Sequence, residues 1–479
     1  MSFHRMATRV AGGACAVALL AAVSASAVTA QGARRVPAML IKNGTVITVT
    51  KGTLANTDVL LEHGRITRIG QNLAAPAGAE VYDATGKFVM PGIIDPHSHG
   101  MSDATNEGTL SVTSMVRILD VINPTAVNGH RSLAGGVTMI NILHGSANTI
   151  GGQSATLKLK VGRPASEMLV PNAPAGIKFA LGENVTRKNS TLQAGQTRRY
   201  PATRMGQEEI IRDAFTRAQS YKQEWDEYRA KMAARPAPTN LVAPRRDLEL
   251  EPLVEVMAGT RFVHAHTYRA DETVMLLELA KEFGFKVRTL QHALESYKVS
   301  PEIRAAGASV SVFADSWSYK IEAFDAIPYN VAINVRNGVL TTVNSDSDER
   351  IRRLNIDAAM GMKYGGLTEA EAMATLTING AWQLGLEART GSIEVGKDAD
   401  IGIWNGHPFS VYSRVDRTIV DGETFFDREQ EVAGRAAKAA ERAELEKAEP
   451  NMVPAPRGGP GAQRPTPPNT STAPMGGVR

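Results

Sequence analysis

The sequence predicts an α/β protein built around a TIM-like (β/α)8 barrel, and three observations carry that prediction. Short runs with strand texture recur through the middle of the chain, at 136–143, 286–291, 308–313 and 339–343. Helical patterns stand between and after them. Histidines and an aspartate close several of those runs, at the strand ends where parallel barrels keep their functional side chains.

Taken in order, 136–143 reads as a buried strand. A helix over 272–283 follows from leucines and a methionine at helical spacing. Ser300-Pro301-Glu302 opens a short helix, with Ser300 as cap and the proline in the first turn. Thr368-Glu369-Ala370-Glu371 has the spacing of a capping box, which marks another helix start. Outside this middle the texture changes to β. Segments 39–47 and 58–69 carry turn residues between β-formers, and similar segments return at 391–404 and 418–426. His63 falls at a hairpin turn and reads as a solvated turn residue rather than a ligand.

The N-terminus reads as a cleavable signal peptide over residues 1–30. His4, Arg5 and Arg9 precede an apolar stretch at 11–23, and Ala25-Ser26-Ala27 and Val28-Thr29-Ala30 fit small-x-small cleavage sites. That stretch is short of the roughly 20 residues a spanning helix needs, so the expected location is periplasmic or secreted, with no stable membrane span after cleavage. The single cysteine, Cys15, lies inside the signal, which leaves the mature chain no disulfide and no thiolate ligand. A net charge of +4 over 479 residues argues against nucleic acid or acidic membranes as partners. Residues 184–252 form a polar insertion with Arg187, Lys188, Arg198, Arg199 and Arg204, a helix over 207–229 and a proline-rich stretch. A lid, a dimer element and surface decoration are the open readings of it. The expected divisions are 36–90, the barrel at 91–385, 386–428, and a charged helix with a disordered Pro/Gly-rich tail at 429–479.

The chemistry is concentrated in a few residues. Asp95-Pro96-His97-Ser98-His99 ends an apolar run, and an extended backbone points His97 and His99 to the same side. Two converging imidazoles are half of a divalent-metal site. His264 and His266 end another apolar segment, His292 a third, and Asp346 a fourth, with Gly176-Ile177-Lys178-Phe179 between the histidine groups. This ordered set resembles the amidohydrolase superfamily, in the imidazolonepropionase-like branch of metal-dependent hydrolases, over about 39–426. The resemblance implies a barrel flanked by one small β-sandwich assembled from the two β segments. It implies metal ligands His97, His99, Lys178, His264, His292 and Asp346, with Asp346 also the catalytic proton carrier. His266 faces the same side as His264 and is its rival. Asp348 is the rival of Asp346, which the strand-end position favours.

Lys178 bridges two ions if carbon dioxide has carboxylated it; an unmodified ammonium cannot ligate a cation, and the site is then mononuclear. One or two divalent ions are expected, with zinc first and manganese, iron or cobalt also suited to imidazole and carboxylate donors. His144, His266, Tyr268 and Arg269 are candidate substrate contacts; His144, Tyr268 and Arg269 also read as ordinary loop residues, and His266 as a ligand in place of His264. His130 and His407 read as structural. The implied reaction is hydrolysis of a C–N bond in an amide, cyclic amide or peptide-like substrate, a small molecule or short peptide, by a metal-activated hydroxide. A mononuclear deaminase of the same fold and a non-catalytic binding protein are the alternatives. A homo-oligomer is compatible with the family.

Overall fold

Aliphatic runs in this chain become buried strands, and their order places every candidate site residue. The computed structural model describes residues 36–186, 199–236 and 239–449. The proposed signal, Cys15, Arg187, Lys188, Arg198 and the Pro/Gly-rich tail lie outside those residues.

Five strands come first: β1 (Met39–Ile47), β2 (Thr53–Glu62), β3 (Arg65–Gly70), β4 (Glu80–Asp83) and β5 (Phe88–Pro91). His63 and Gly64 take positive φ at the turn between β2 and β3, which suits the twist of a two-residue hairpin. The next nine strands are β6 (Ile93–Ser98), β7 (Val137–Ile142), β8 (Ile150–Gln153), β9 (Ala155–Lys158), β10 (Ala175–Ala180), β11 (Arg261–Thr267), β12 (Val287–His292), β13 (Ser309–Val312) and β14 (Thr341–Val343). Three more close the series: β15 (Ile401–Trp404), β16 (Val415–Val420) and β17 (Glu423–Asp427).

The two terminal β segments meet in one eight-stranded sheet, joined where β5 pairs antiparallel with β15. Alternation along the strands gives the sheet two apolar faces. Val89, Ile401 and Ile403 enter a small core with Met39, Ile41, Val59 and Leu61. Met90, Trp404, Val420 and Phe426 join the main core on the other side.

The main α/β layer departs from a uniformly parallel arrangement at one place. β6 and β7 are parallel, and β10 to β14 are parallel in sequence order. Between them β8 and β9, separated only by Ser154, run antiparallel to β10 and β7 respectively. The cause is chain length. Residues 143–149 link β7 to β8, whereas a parallel return needs a crossover of about a dozen residues or more. β14 reaches β6 through Asp346 N–H donating to His97 O at 3.2 Å and Ser345 N–H donating to Asp95 Oδ1 at 3.3 Å.

Thr368 and Glu371 make the reciprocal bonds of a capping box. Ser300 does not cap its helix. Its hydroxyl lies within hydrogen-bond distance of two acceptors, Ser296 O and Asn334 Oδ1, inside a buried polar network that outcompetes the local cap. The insertion contains a 30-residue helix, Arg204–Ala233. Ile211, Ala214, Phe215 and Ala218 bury one side of it, with Phe215 stacked on Phe285 at 4.4 Å, so it packs into the main core as a wall helix. Beyond Arg428 lies a separate unit. Its helical stretches, Arg428–Ala433 and Arg435–Ala448, are broken at Gly434 and have no buried residue.

One buried ionic cluster ties β9 to the C-terminal segment. Lys158 Nζ lies 2.7 Å from Asp398 and 3.0 Å from Asp400, and also contacts Asp421. The three aspartates are close enough together to resemble a metal site, but the Lys158 ammonium sits among them and supplies the countercharge. A Lys158→Met variant leaves buried Asp400 without its cation, while Asp398 keeps Arg65 and Arg389 and Asp421 keeps Lys160. It is expected to lose about 3–5 kcal/mol of stability, read as a lower urea midpoint; an unchanged midpoint would show that the cluster is not stabilising.

Candidate metal centre

The carboxyl ends of β6, β10, β11, β12 and β14 converge. β6 delivers His97, fully buried, and the chain just beyond it delivers His99. His99 Nε2 is 2.9 Å from Asp346 Oδ1, and His97 Nε2 is 3.5 Å from the same oxygen. His292 Nε2 lies 3.6 Å from Asp346 Oδ2. Lys178 Nζ lies 3.1 Å from His97 Nε2. His292 and Asp346 both have positive φ (69° and 44°), so their side chains leave the strand ends through a backbone conformation L-residues seldom adopt. Asp348, by contrast, is exposed.

The structure separates His264 from His266. Register pairs His264 with Lys178 and His266 with Ala180, so His266 stands two residues nearer the carboxyl end of the strands. The His264 ring lies over Gly176, where an added β-carbon would be 3.4 Å from its Cδ2. His266 instead stacks edge-on against His292, ring centroids 4.8 Å apart. Its Nδ1 bonds the Ser146 hydroxyl at 2.8 Å, while Nε2 is buried without a hydrogen-bond partner. His264, the first histidine of the pair, is level with Lys178, and His266 is the one whose ring packs against His292. Strand alternation aims both to one side and cannot choose between depths.

Electrostatics favour a ligating state. Burial, with help from Lys178, holds His97 well below the usual imidazole range; burial does the same for His266 and His292, and pushes His264 down to about 3. Neutral imidazoles are the form that binds metal. Burial raises the Asp346 carboxyl, but His292, His99 and Lys178 outweigh it and keep it ionised. Burial pushes the Lys178 amine down to about 7, which leaves much of it uncharged near neutrality.

Other expected contacts fall differently. Both ring nitrogens of His144 are taken by backbone: Nδ1 donates to Gly145 O at 2.8 Å, and Nε2 accepts from Glu107 N–H at 2.9 Å. It clamps two loops. Arg269 pairs with Asp271 at 3.0 Å on the surface. Tyr268 is buried beside His266, ring centroids 4.6 Å apart, and its hydroxyl is 2.6 Å from that of Tyr319. His130 packs edge-on against Phe426, and His407 pairs with Glu369.

Three residues at the site are absent from the sequence expectations. Asp95 is fully buried, and burial pushes its carboxyl up to about 7. It accepts from the backbone of His97 and of Ser345, fixing β6 to the end of β14. Its place two residues before His97 was the available signal. Tyr319 and Lys320 come from the segment after β13, with Lys320 Nζ 4.2 Å from the Tyr268 ring centroid. No local pattern in that segment announces them.

The residues present fit a divalent centre on the evidence of orphaned donors. His266 Nε2 and both ring nitrogens of His292 are buried with no hydrogen-bond partner, an arrangement that is costly unless something accepts their lone pairs. A strand-end cluster of imidazoles, a carboxylate and a deeply buried lysine defines a metal-dependent hydrolase centre in class. The family model for the amidohydrolase family matches residues 88–425, and the chain belongs to that family. An amidohydrolase structure from Thermotoga maritima MSB8 is 34% identical with a TM-score of 0.73, covering 81% of this chain and all of that one. Amidohydrolase tasK of Hapsidospora irregularis is 32% identical over 397 residues, 77% of this chain but only 40% of tasK. A dihydroorotase of Pelotomaculum thermopropionicum is 27% identical over 420 residues, 76% of this chain and 88% of that enzyme. The chain thus spans well under half the length of tasK and most of the length of the other two. No helix among the described residues is long and apolar enough to cross a membrane.

Proposed function

We propose that this chain hydrolyses a C–N bond of an amide, with cyclic amides the first substrates to test, at a centre of two divalent ions held by His97, His99, Lys178, His266, His292 and Asp346. The observation that carries the reading is the convergence of these six side chains, three of them imidazoles with orphaned ring nitrogens. His266 replaces His264 in the proposed ligand set because it reaches His292 and His264 does not. Cyclic amides come first because the name dihydroorotase, borne by a relative, points to a ring amide. We further propose zinc as the ion, a closed barrel beside a sandwich-like sheet, and export through residues 1–30.

Divalent ions held there would supply a water that ionises near neutrality and Lewis-acid polarisation of the scissile carbonyl. Asp346, ionised by its cationic and imidazole neighbours, takes the proton from the attacking water and returns it to the departing nitrogen. The uncharged fraction of the Lys178 amine can add carbon dioxide through its nitrogen and release a proton, which gives an anionic carbamate beside His97. The Tyr268 and Tyr319 hydroxyls, joined at 2.6 Å, stay protonated because burial raises both; one proton is spent in their mutual bond, which leaves the other to donate to the substrate. Asp95 keeps His97 and Asp346 in register without touching substrate.

The test is hydrolysis of a panel of cyclic amides, N-acyl amino acids and dipeptides by metal-loaded protein, with and without a chelator. Turnover that the chelator abolishes supports the reading. Release of ammonia as the leaving group would move the activity to a deaminase, and turnover unaffected by metal removal would overturn it.

A further inference from the structure

A second polar cavity lies at the opposite end of the α/β layer, independent of the reading above. The Gly135–Gly136 turn leads into the amino end of β7, whereas the metal centre sits at carboxyl ends. The cavity, about 630 Å³, is lined by Arg131, Arg352, Arg353, Arg414 and Arg428, with Trp404 on its apolar side. Its base depends on the two glycines. A β-carbon on Gly135 would stand 2.5 Å from Arg352 Cα, and one on Gly136 (φ +81°) 2.9 Å from Trp404 Cζ2.

The charge there is unbalanced. Glu349 is shared, taking Arg131 at 2.9 Å and Arg352 at 2.6 Å. Among the described residues no carboxylate forms an ion pair with Arg353 or Arg414. Arg414 is held in place by the carbonyls of Val411 and Ser413, at 3.1 and 2.9 Å. Arg428 is held by Val415 O, at 2.6 Å. Guanidinium groups fixed by backbone carbonyls lose little freedom on binding and present planar forks suited to phosphate or carboxylate oxygens. Like charges gathered at one cavity repel, and an anion relieves that repulsion.

We propose that this cavity binds a small multivalent anion, carrying either a phosphate or two or more carboxylates, with an apolar part against Trp404. The experiment is isothermal titration of inorganic phosphate and, separately, of succinate into the purified holoenzyme and an Arg353→Gln/Arg414→Gln variant, with chloride at matched ionic strength as control. Heat from the metal centre is common to both proteins, so the difference between them reports the cavity. Both substitutions lie on exposed side chains, so the variant is expected to keep its circular dichroism and metal content. The expected result is binding to the parent that the variant weakens about tenfold or more. Phosphate alone showing that difference identifies a phosphate-bearing ligand, and succinate alone a polycarboxylate. Equal binding to both proteins, or none beyond chloride, overturns the proposal.

Discussion

An Asp346→Asn variant is expected to lose about 10²–10⁴-fold in kcat, the range a positioned proton carrier contributes. An amide can still present an oxygen to a cation, but it cannot accept the proton of the attacking water or return it to nitrogen. The side chain is nearly isosteric, so folding should be preserved. Asp346 N–H remains bonded to His97 O at 3.2 Å, and Asp95 still secures the neighbouring backbone. The split between kinetic constants matters here. If Asp346 acts in the transition state, kcat and kcat/KM fall together; if it merely shapes the pocket, KM rises with kcat little changed. Steady-state kinetics on a substrate found in the amide panel decides between them.

Replacing Lys178 with alanine is expected to lower kcat/KM by more than about 100-fold, since loss of even an outer supporting group at metal sites costs 10–100-fold. Lys178 is fully buried, and its Nζ sits 3.1 Å from a histidine nitrogen rather than from a carboxylate. An ordinary structural lysine in such a place would have a counterion, as Lys158 has in Asp398, Asp400 and Asp421. The two lysines are equally hidden but oppositely shifted: acidic neighbours overcome burial and hold Lys158 above its usual range, whereas burial prevails at Lys178 and takes it down to about 7. That contrast is the physical case for a modified Lys178. Metal loading of the parent should therefore improve with added bicarbonate and that of the alanine variant should not. Equal bicarbonate response in both would remove the carboxylated lysine from the account.

Much of this arrangement was legible in the sequence because strands and their ends leave local signals. The β12 and β13 segments carry β-formers such as Val287, Leu290, Val310 and Val312, the Thr368 capping box carries its own spacing, and His97, His292 and Asp346 each stand at or just beyond a strand end. What stayed hidden depends on distance in space. The choice of His266 over His264 rests on how far β11 projects beside β12, a depth that side-chain alternation cannot report. The reversed direction of β8 and β9 was missed even though the brevity of residues 143–149 could have flagged it. Ser300 looked like a cap because the buried Ser296–Asn334 network that claims its hydroxyl is tertiary. Tyr319 and Lys320 reach the site only through the path of the segment after β13, with Tyr268 as their contact.

The most direct test of the metal centre is elemental analysis per chain of the purified protein beside His266→Ala and His264→Ala variants. About two divalent ions are expected in the parent, with a clear loss in His266→Ala and the parental content in His264→Ala. Loss confined to His264→Ala, or a parent without metal that cannot be loaded, would contradict that expectation.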